Sequence, residues 1–388
     1  MTSIKDAHFY NSRVFVRLDL NVPIAGGRVL DDLRIRRSLE TILFLKKSGA
    51  KLVLATHLGR PQEEDKKKKE FSLVPVKEKL EELLGEKIAF SKKLGGIRLK
   101  MKIRAMKPGQ VLLLENLRFD KREERGDRKF AEELAGLVDA YVGEAFSVCH
   151  RPHASVAILP RLLPHFAGFE LIKEVEMLSK ISQNPVRPLC VIIGGIKIDS
   201  KLKMLEKFLN FADHLIFGGE IANVILRVKG ISVGRPWPEE KIVRIIEKID
   251  LTNPKIHLPV DVLAAPDTEG EIYVRETAPG SLRKEENSLD IGEESIAAFS
   301  AIIKASRTIF WSGPLGFFEN EKFSRGTRKI AEVLAANQKA FRVVGGGETA
   351  SAVEKFGLSN KIDFISNGGG AMLEFLAGEK LPGLEALE

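Results

Sequence analysis

The sequence has little of what several protein classes require. Its 388 residues include two cysteines, Cys149 and Cys190, too few for a disulfide framework and in keeping with a reducing compartment. No run approaches the roughly 18 consecutive apolar residues of a membrane span. The N-terminal stretch MTSIKDAHFYNSR lacks the apolar core of a secretory signal. A cytoplasmic protein without membrane attachment is expected. The phosphate-loop pattern GxxxxGK[ST] is absent, no GxGxxG follows the first strand, and the protein-kinase signatures are missing. Any phosphate site must therefore be of another design. No repeat is short enough for a solenoid.

The length suits two domains rather than one core. With 44% apolar and 29% charged residues, the composition is that of an ordinary globular protein. The net charge of +8 is unevenly spread: residues 1–165 hold 33 basic and 22 acidic side chains, a net +11, and the remainder nets −3. A basic half beside a slightly acidic one points to an anionic partner for the first half, either nucleic acid or a small phosphorylated molecule. The run Lys66–Lys69 reads as a solvated loop. No nucleic-acid motif is present, and arginines carried singly on loops suit one small anion.

Short apolar runs alternate with segments of helical periodicity. In the first half the strand-like runs are 13–20, 50–57, 110–116 and 139–146, separated by helical patterns at 32–49, 75–85 and 128–138. In the second half the strands are 188–195, 212–219, 255–265, 307–313, 341–347 and 363–370, and the helices 200–211, 239–249, 294–306, 326–337 and 349–357. Such alternation predicts an α/β fold of two doubly wound, Rossmann-like parallel-sheet lobes. A helix over 169–182, followed by the breaker-rich QNPVRP, is expected to join them. The expected domains are 1–168, a linker at 169–185, and 186–370.

Five glycine clusters close apolar strands in the second half: Gly194-Gly195, Gly218-Gly219, Gly313, Gly345–Gly347 and Gly368–Gly370. Open α/β sheets bind ligands beyond the carboxyl ends of their strands, where glycine admits close approach and the next helix offers free N–H groups. Lys197 and Lys201 follow the first cluster at a spacing of four, a pairing suited to a polyphosphate. In the first half, Arg34, Arg60, Arg118 and Arg151 stand near strand ends or at loop–helix junctions, and His57, His150 and His153 share their loops. Arginine binds carboxylate and phosphate bidentately. Cys149, His150 and His153 could also form a metal cluster, but a fourth ligand at metal-site spacing is lacking.

The segments VFVRLDLNVP, DDLRIRRSLETI, THLGRP, LLLENLRF, AFSVCHRPHAS, GGIKIDSK, FWSGPLGFFE, VVGGGETA and SNGGGAMLEFLAGEKLPGLEAL, in this order and across nearly the whole chain, resemble phosphoglycerate kinases. The resemblance implies a first lobe that binds 3-phosphoglycerate or 1,3-bisphosphoglycerate and a second that binds ADP or ATP with Mg²⁺. It implies a hinge that closes between them and a monomer. By matching motif, Asp19 and Asn21 would bind the glycerate end. His57, Arg60, Arg118 and Arg151 would clamp the non-transferred phosphate, and Arg34 would meet the carboxyl end and the phosphoryl group in flight. Lys197 would stabilise that phosphoryl group, and Lys201 would hold the nucleotide phosphates. Glu319 would bind the ribose hydroxyls. Gly346, Gly347, Glu348 and Thr349 would form the phosphate loop, with Glu348 on the magnesium and Thr349 donating to phosphate. Gly346 and Gly369 would present backbone N–H groups to the transfer. Residues 371–388 would fold back on the first lobe.

Several positions depart from the family pattern. Glu348 replaces an aspartate, Ser312 an asparagine, and GEAFSVCHRPHAS stands for the common NDAFGTAHRAHAS. The charged groups are kept, so an active enzyme is expected. A catalytically weakened relative that only binds nucleotide or sugar phosphate is the alternative.

Overall fold

The computed structural model describes residues 1–62, 68–231 and 239–388; Lys66 and Lys67 of the lysine run lie outside them. Its contacts divide the chain into two units, Met1–Glu176 with Lys380–Glu388, and Met177–Glu379. The boundary falls inside the helix Phe169–Ser182.

In the first unit the run RVFVR makes the strand Arg13–Arg17, its last four residues buried. A strand covered on both faces needs such a run rather than alternation. It pairs in parallel with Lys51–Ala55 and Ala140–Gly143, Val14 standing opposite both Leu52 and Ala140. The six-stranded order is Ala89–Ser91, Val111–Leu114, Lys51–Ala55, Arg13–Arg17, Ala140–Gly143, His165–Ala167. Ile35, Ile42 and Leu45 of the helix Leu33–Lys47 join Val14, Val16, Leu52 and Leu54 in the core.

In the second unit the order is Ile256–His257, His214–Phe217, Leu189–Ile193, Thr308–Ser312, Phe341–Gly345, Phe364–Ser366, all parallel. Counted along the chain this is 3-2-1-4-5-6, the doubly wound arrangement, with its switch point between Leu189–Ile193 and Thr308–Ser312. The first sheet reverses direction between Arg13–Arg17 and Ala140–Gly143.

The segment 255–265 differs from its expected single strand. Ile256–His257 lies in the parallel sheet. Beyond Pro259, which cannot donate to a ladder, Val262–Ala265 becomes the centre of a separate antiparallel sheet with Arg275–Thr277 and Asn287–Ile291. The strands Ala89–Ser91 and His165–Ala167 and the helices Ile97–Arg104, Gly219–Val228 and Gly370–Ala377 add to the expected elements. The terminal segment that joins the first unit starts at Lys380 rather than 371. Gly370–Ala377 belongs to the second unit, where Met372 is fully buried and its sulfur leaves no room for a Cβ on Gly345. In the first unit the Gly383 N–H donates to the Cys149 carbonyl at 2.8 Å.

Candidate functional site

Four loops meet at the strand ends of the first unit. Asp19, two residues beyond the central strand, pairs with Arg34 from the first turn of the helix Leu33–Lys47 and accepts from the Ser147 hydroxyl. The Asp19–Ser147 bond spans the switch point. The Asn21 side-chain oxygen accepts from Gly59 N at 2.9 Å, and Arg118 donates to the Gly59 carbonyl at 2.7 Å. Arg118 is buried, lies 3.2 Å from Glu124, and has its backbone N–H held by Asn116. Arg60 and Arg151 are exposed on their loops.

The histidines of these loops are uncharged at neutral pH. His57 and His153 are buried, and neither Nδ1 has a hydrogen-bond partner among the described residues. Burial, then the positive charges of Arg17, Arg118 and Arg34, hold His57 well below the ordinary imidazole value. Burial and Arg151 take His150 down to about 4; burial, Arg17 and Arg118 take His153 down to about 3. These residues can donate or accept hydrogen bonds but do not add positive charge to the arginines. A metal reading of the CHRPH stretch finds no support: burial pushes the Cys149 thiol up to about 12, and no group of three potential ligands occurs among the described residues.

Sequence reasoning missed Arg17 and its partners. Arg17 is fully buried; its Nε donates to the Ser155 hydroxyl at 2.8 Å and an Nη to the Leu18 carbonyl at 2.6 Å. Ser155 donates in turn, through N–H and hydroxyl, to the fully buried Glu123 at 3.0 and 2.6 Å. The available signal was a charged residue between Val16 and Leu18 in an apolar run, since a buried charge requires partners.

In the second unit the two lysines fall in different environments. Lys201 is buried, and its ammonium donates to the carbonyls of Gly194 and Ser312, at the ends of the two strands flanking the switch point. A Cβ on Gly313 would collide with that ammonium. Burial lowers Lys201 to about 8, with Glu348 opposing the shift and Lys197 adding to it. Lys197 is 80% exposed, 3.8 Å from the Glu348 carboxylate. The two lysines are thus one buried cation and one exposed cation.

The segment expected to form the phosphate loop runs from the strand Phe341–Gly345 into the helix Gly347–Lys355. Gly346 takes φ +91°, and Gly369, ahead of the helix Gly370–Ala377, takes φ +52° with ψ −121°, conformations that favour glycine. Neither helix start has a side-chain cap, so first-turn N–H groups are available to a ligand. Thr349, expected to donate to phosphate, has a buried hydroxyl that accepts from Gly313 N at 2.6 Å and donates to the Gly345 carbonyl at 3.1 Å, so it ties two strand ends together. Ser312 is buried with Gly346 beside it, a Cβ there standing 3.6 Å from its hydroxyl oxygen. Glu319 is exposed on the loop Pro314–Asn320, away from this cluster in sequence.

Two doubly wound units, one with an arginine-rich strand-end rim and the other with a glycine-rich rim around lysines, define a two-unit α/β protein of Rossmann-like architecture. The family model described as phosphoglycerate kinase matches residues 4–379. The chain is 42% identical over 389 residues to the phosphoglycerate kinase of Moorella thermoacetica, covering 99% of this chain and 98% of that one. It is 39% identical over 391 residues to that of Thermomicrobium roseum, covering 100% and 99%. The structure of phosphoglycerate kinase from Coxiella burnetii superposes with a TM-score of 0.88 at 37% identity, over 99% and 98% of the two chains. That from Pyrococcus horikoshii superposes with a TM-score of 0.87 at 34% identity, over 100% and 98%. The chain belongs to the phosphoglycerate kinase family. Nothing in these matches favours the binding-only alternative.

Proposed function

We propose that this chain catalyses reversible phosphoryl transfer between the acyl phosphate of 1,3-bisphosphoglycerate and ADP, giving 3-phosphoglycerate and ATP. The observation that carries the reading is where the family's charged groups stand. Asp19 and Arg34 pair at the switch point of one sheet; Lys201 bridges that of the other, with Lys197 and Glu348 beside it.

Phosphoryl transfer asks for positioning and for positive charge around the moving group. Arg34, held by Asp19, would meet the glycerate carboxyl end and the phosphoryl oxygens. Arg60, Arg118 and Arg151 would hold the other phosphate, with His57 as a neutral hydrogen-bonding partner and Asn21 on the glycerate. Lys197 is exposed enough to follow the phosphoryl group. Lys201 would present its remaining proton to the nucleotide phosphates, Gly346, Gly347 and Gly369 their backbone N–H groups, and Glu319 its carboxylate to the ribose. Removing Lys197 would cost about 3 kcal/mol of transition-state stabilisation, on the scale of one oxyanion-hole donor. An acyl phosphate hydrolyses in water, so closure of the two units around the reactants has a chemical purpose.

Among the described residues Glu348 is the one carboxylate beside Lys197, and it is 42% exposed. A lone exposed carboxylate suits a Mg²⁺ ion that arrives with nucleotide phosphates and keeps much of its water, rather than a resident ion. Such an ion would neutralise phosphate charge, with Glu348 as its protein ligand. We place the protein in the cytoplasm as a monomer working on small molecules rather than on nucleic acid or membranes. Among the described residues no helix is long and apolar enough to cross a membrane.

The test is a coupled assay of purified protein with 3-phosphoglycerate, ATP and Mg²⁺. Sustained ADP formation that needs all three is expected. A folded protein that forms no ADP would overturn the reading.

A further inference from the structure

The loop Pro314–Asn320, which carries Glu319, is fastened at nearly every residue from beneath. The N–H groups of Leu315 and Gly316 donate to the Thr327 hydroxyl at 3.1 and 3.2 Å. Phe317 N donates to the Leu289 carbonyl at 2.7 Å, and the Lys355 ammonium to the Phe318 carbonyl at 3.0 Å. On its other side the loop accepts from the glycine rim: Gly195 N donates to the Pro314 carbonyl at 2.8 Å and Gly219 N to the Leu315 carbonyl at 2.9 Å. The loop therefore joins two strand ends of the parallel sheet to the antiparallel sheet behind it.

Asp290 stands at the centre of this fastening. It lies in the strand Asn287–Ile291 and is 2% exposed. Its carboxylate accepts from Gly326 N at 2.7 Å, in the first turn of the helix Arg325–Ala336, and from Ile291 N at 2.9 Å. A Cβ on either Gly316 or Gly326 would run into the same carboxylate. One buried side chain thus sets the distance between the loop at Gly316 and the helix start at Gly326, which lies next to Thr327. A carboxylate buried this deeply cannot itself reach a nucleotide.

We propose that Asp290 is a positioning residue for nucleotide binding: it seats the loop Pro314–Asn320 between the helix Arg325–Ala336 and the glycine rim so that Glu319 meets the ribose. The inference rests on the ribose reading of Glu319. Loss of Asp290 therefore weakens ADP binding specifically, and its effect passes through Glu319 rather than adding to it.

The experiment is a double-mutant cycle on the full chain, reading KM for ADP and for 3-phosphoglycerate with thermal stability alongside. Asp290→Asn keeps the shape but removes one acceptor oxygen. It should raise KM for ADP about tenfold, a modest result for a misplaced binding group, and move KM for 3-phosphoglycerate less than about twofold. In a Glu319→Ala background the same change should add less than about twofold, because contacts acting through one another are not additive. Thr327→Val removes the other acceptor under the loop without touching charge and should give the same signature, so the inference is tested even if Asp290→Asn folds poorly. An unchanged KM for ADP in both variants, or increments that multiply independently of Glu319, would overturn the positioning role. An unchanged KM for ADP in Glu319→Ala alone would instead overturn the ribose reading.

Discussion

The Lys201 ammonium donates to the Ser312 carbonyl oxygen 3.2 Å away, and so ties two adjacent parallel strands together at the point where their sheet changes direction. The other tie is the Gly194 carbonyl. A lysine held this way is a strut and, in the proposed function, also a donor to phosphate.

Its protonation has a testable consequence. Burial lowers Lys201 from the ordinary 10.5 to about 8. The charged form, needed for phosphate, is complete below that value and is lost as pH rises through it. We expect kcat/KM for ADP to fall on an alkaline limb with an apparent pKa near 8, and Lys201→Arg to move that limb upward. The stability effect has the opposite sign. The folded chain resists charging this group, so this contribution to stability improves as pH rises from about 8 toward 10.5. A pH profile of rate with one of thermal midpoint would display the opposed trends.

The histidines give a second prediction. Nuclear magnetic resonance titration should find His57, His150 and His153 neutral at pH 7 and titrating only well below the ordinary value of 6.5, His150 near 4 and His153 near 3. Because the folded pKa values are lowered, the unfolded chain takes up protons first. Stability is therefore lost as pH falls below about 6.5. His153→Gln should flatten that acid-side loss. Addition of 3-phosphoglycerate should move these titrations upward, since a phosphate beside an imidazole favours its charged form.

The fold was largely legible because buried parallel strands write themselves as short apolar runs closed by glycine, as in LCVII before Gly194 and TIFWS before Gly313. AFS and HFA were missed because three residues carry no period. The segment 255–265 misled because its apolar residues continue through Pro259, and only tertiary pairing shows that the sheet changes there. The proposed site groups rest on the motifs. Arg17 and Asp290 were not legible, because they act through partners more than 30 residues away, Ser155 and Gly326. The internal partners of the Thr349 hydroxyl, Gly313 and Gly345, were likewise not legible, because they come near only when strand ends meet.

Glu348 carries the metal prediction. Glu348→Asp should leave the Mg²⁺ dependence of the rate equal or improved, since an octahedral ion is sensitive to one methylene of reach. Glu348→Ala should raise the Mg²⁺ needed for half-maximal rate roughly tenfold or more, as for other groups that hold a metal. An unchanged Mg²⁺ dependence in Glu348→Ala would remove it as a ligand.

In the proposed reaction the exposed cation at the second rim, Lys197, acts on the group in transfer. The most direct measurement compares kcat of the wild type and Lys197→Ala in the coupled assay, with ADP affinity determined by calorimetry on the same samples. A fall in kcat of about a hundredfold or more is expected, from the roughly 3 kcal/mol of one such donor, with the ADP dissociation constant changed only a few-fold. Full turnover in Lys197→Ala, or a loss confined to ADP affinity, would contradict it.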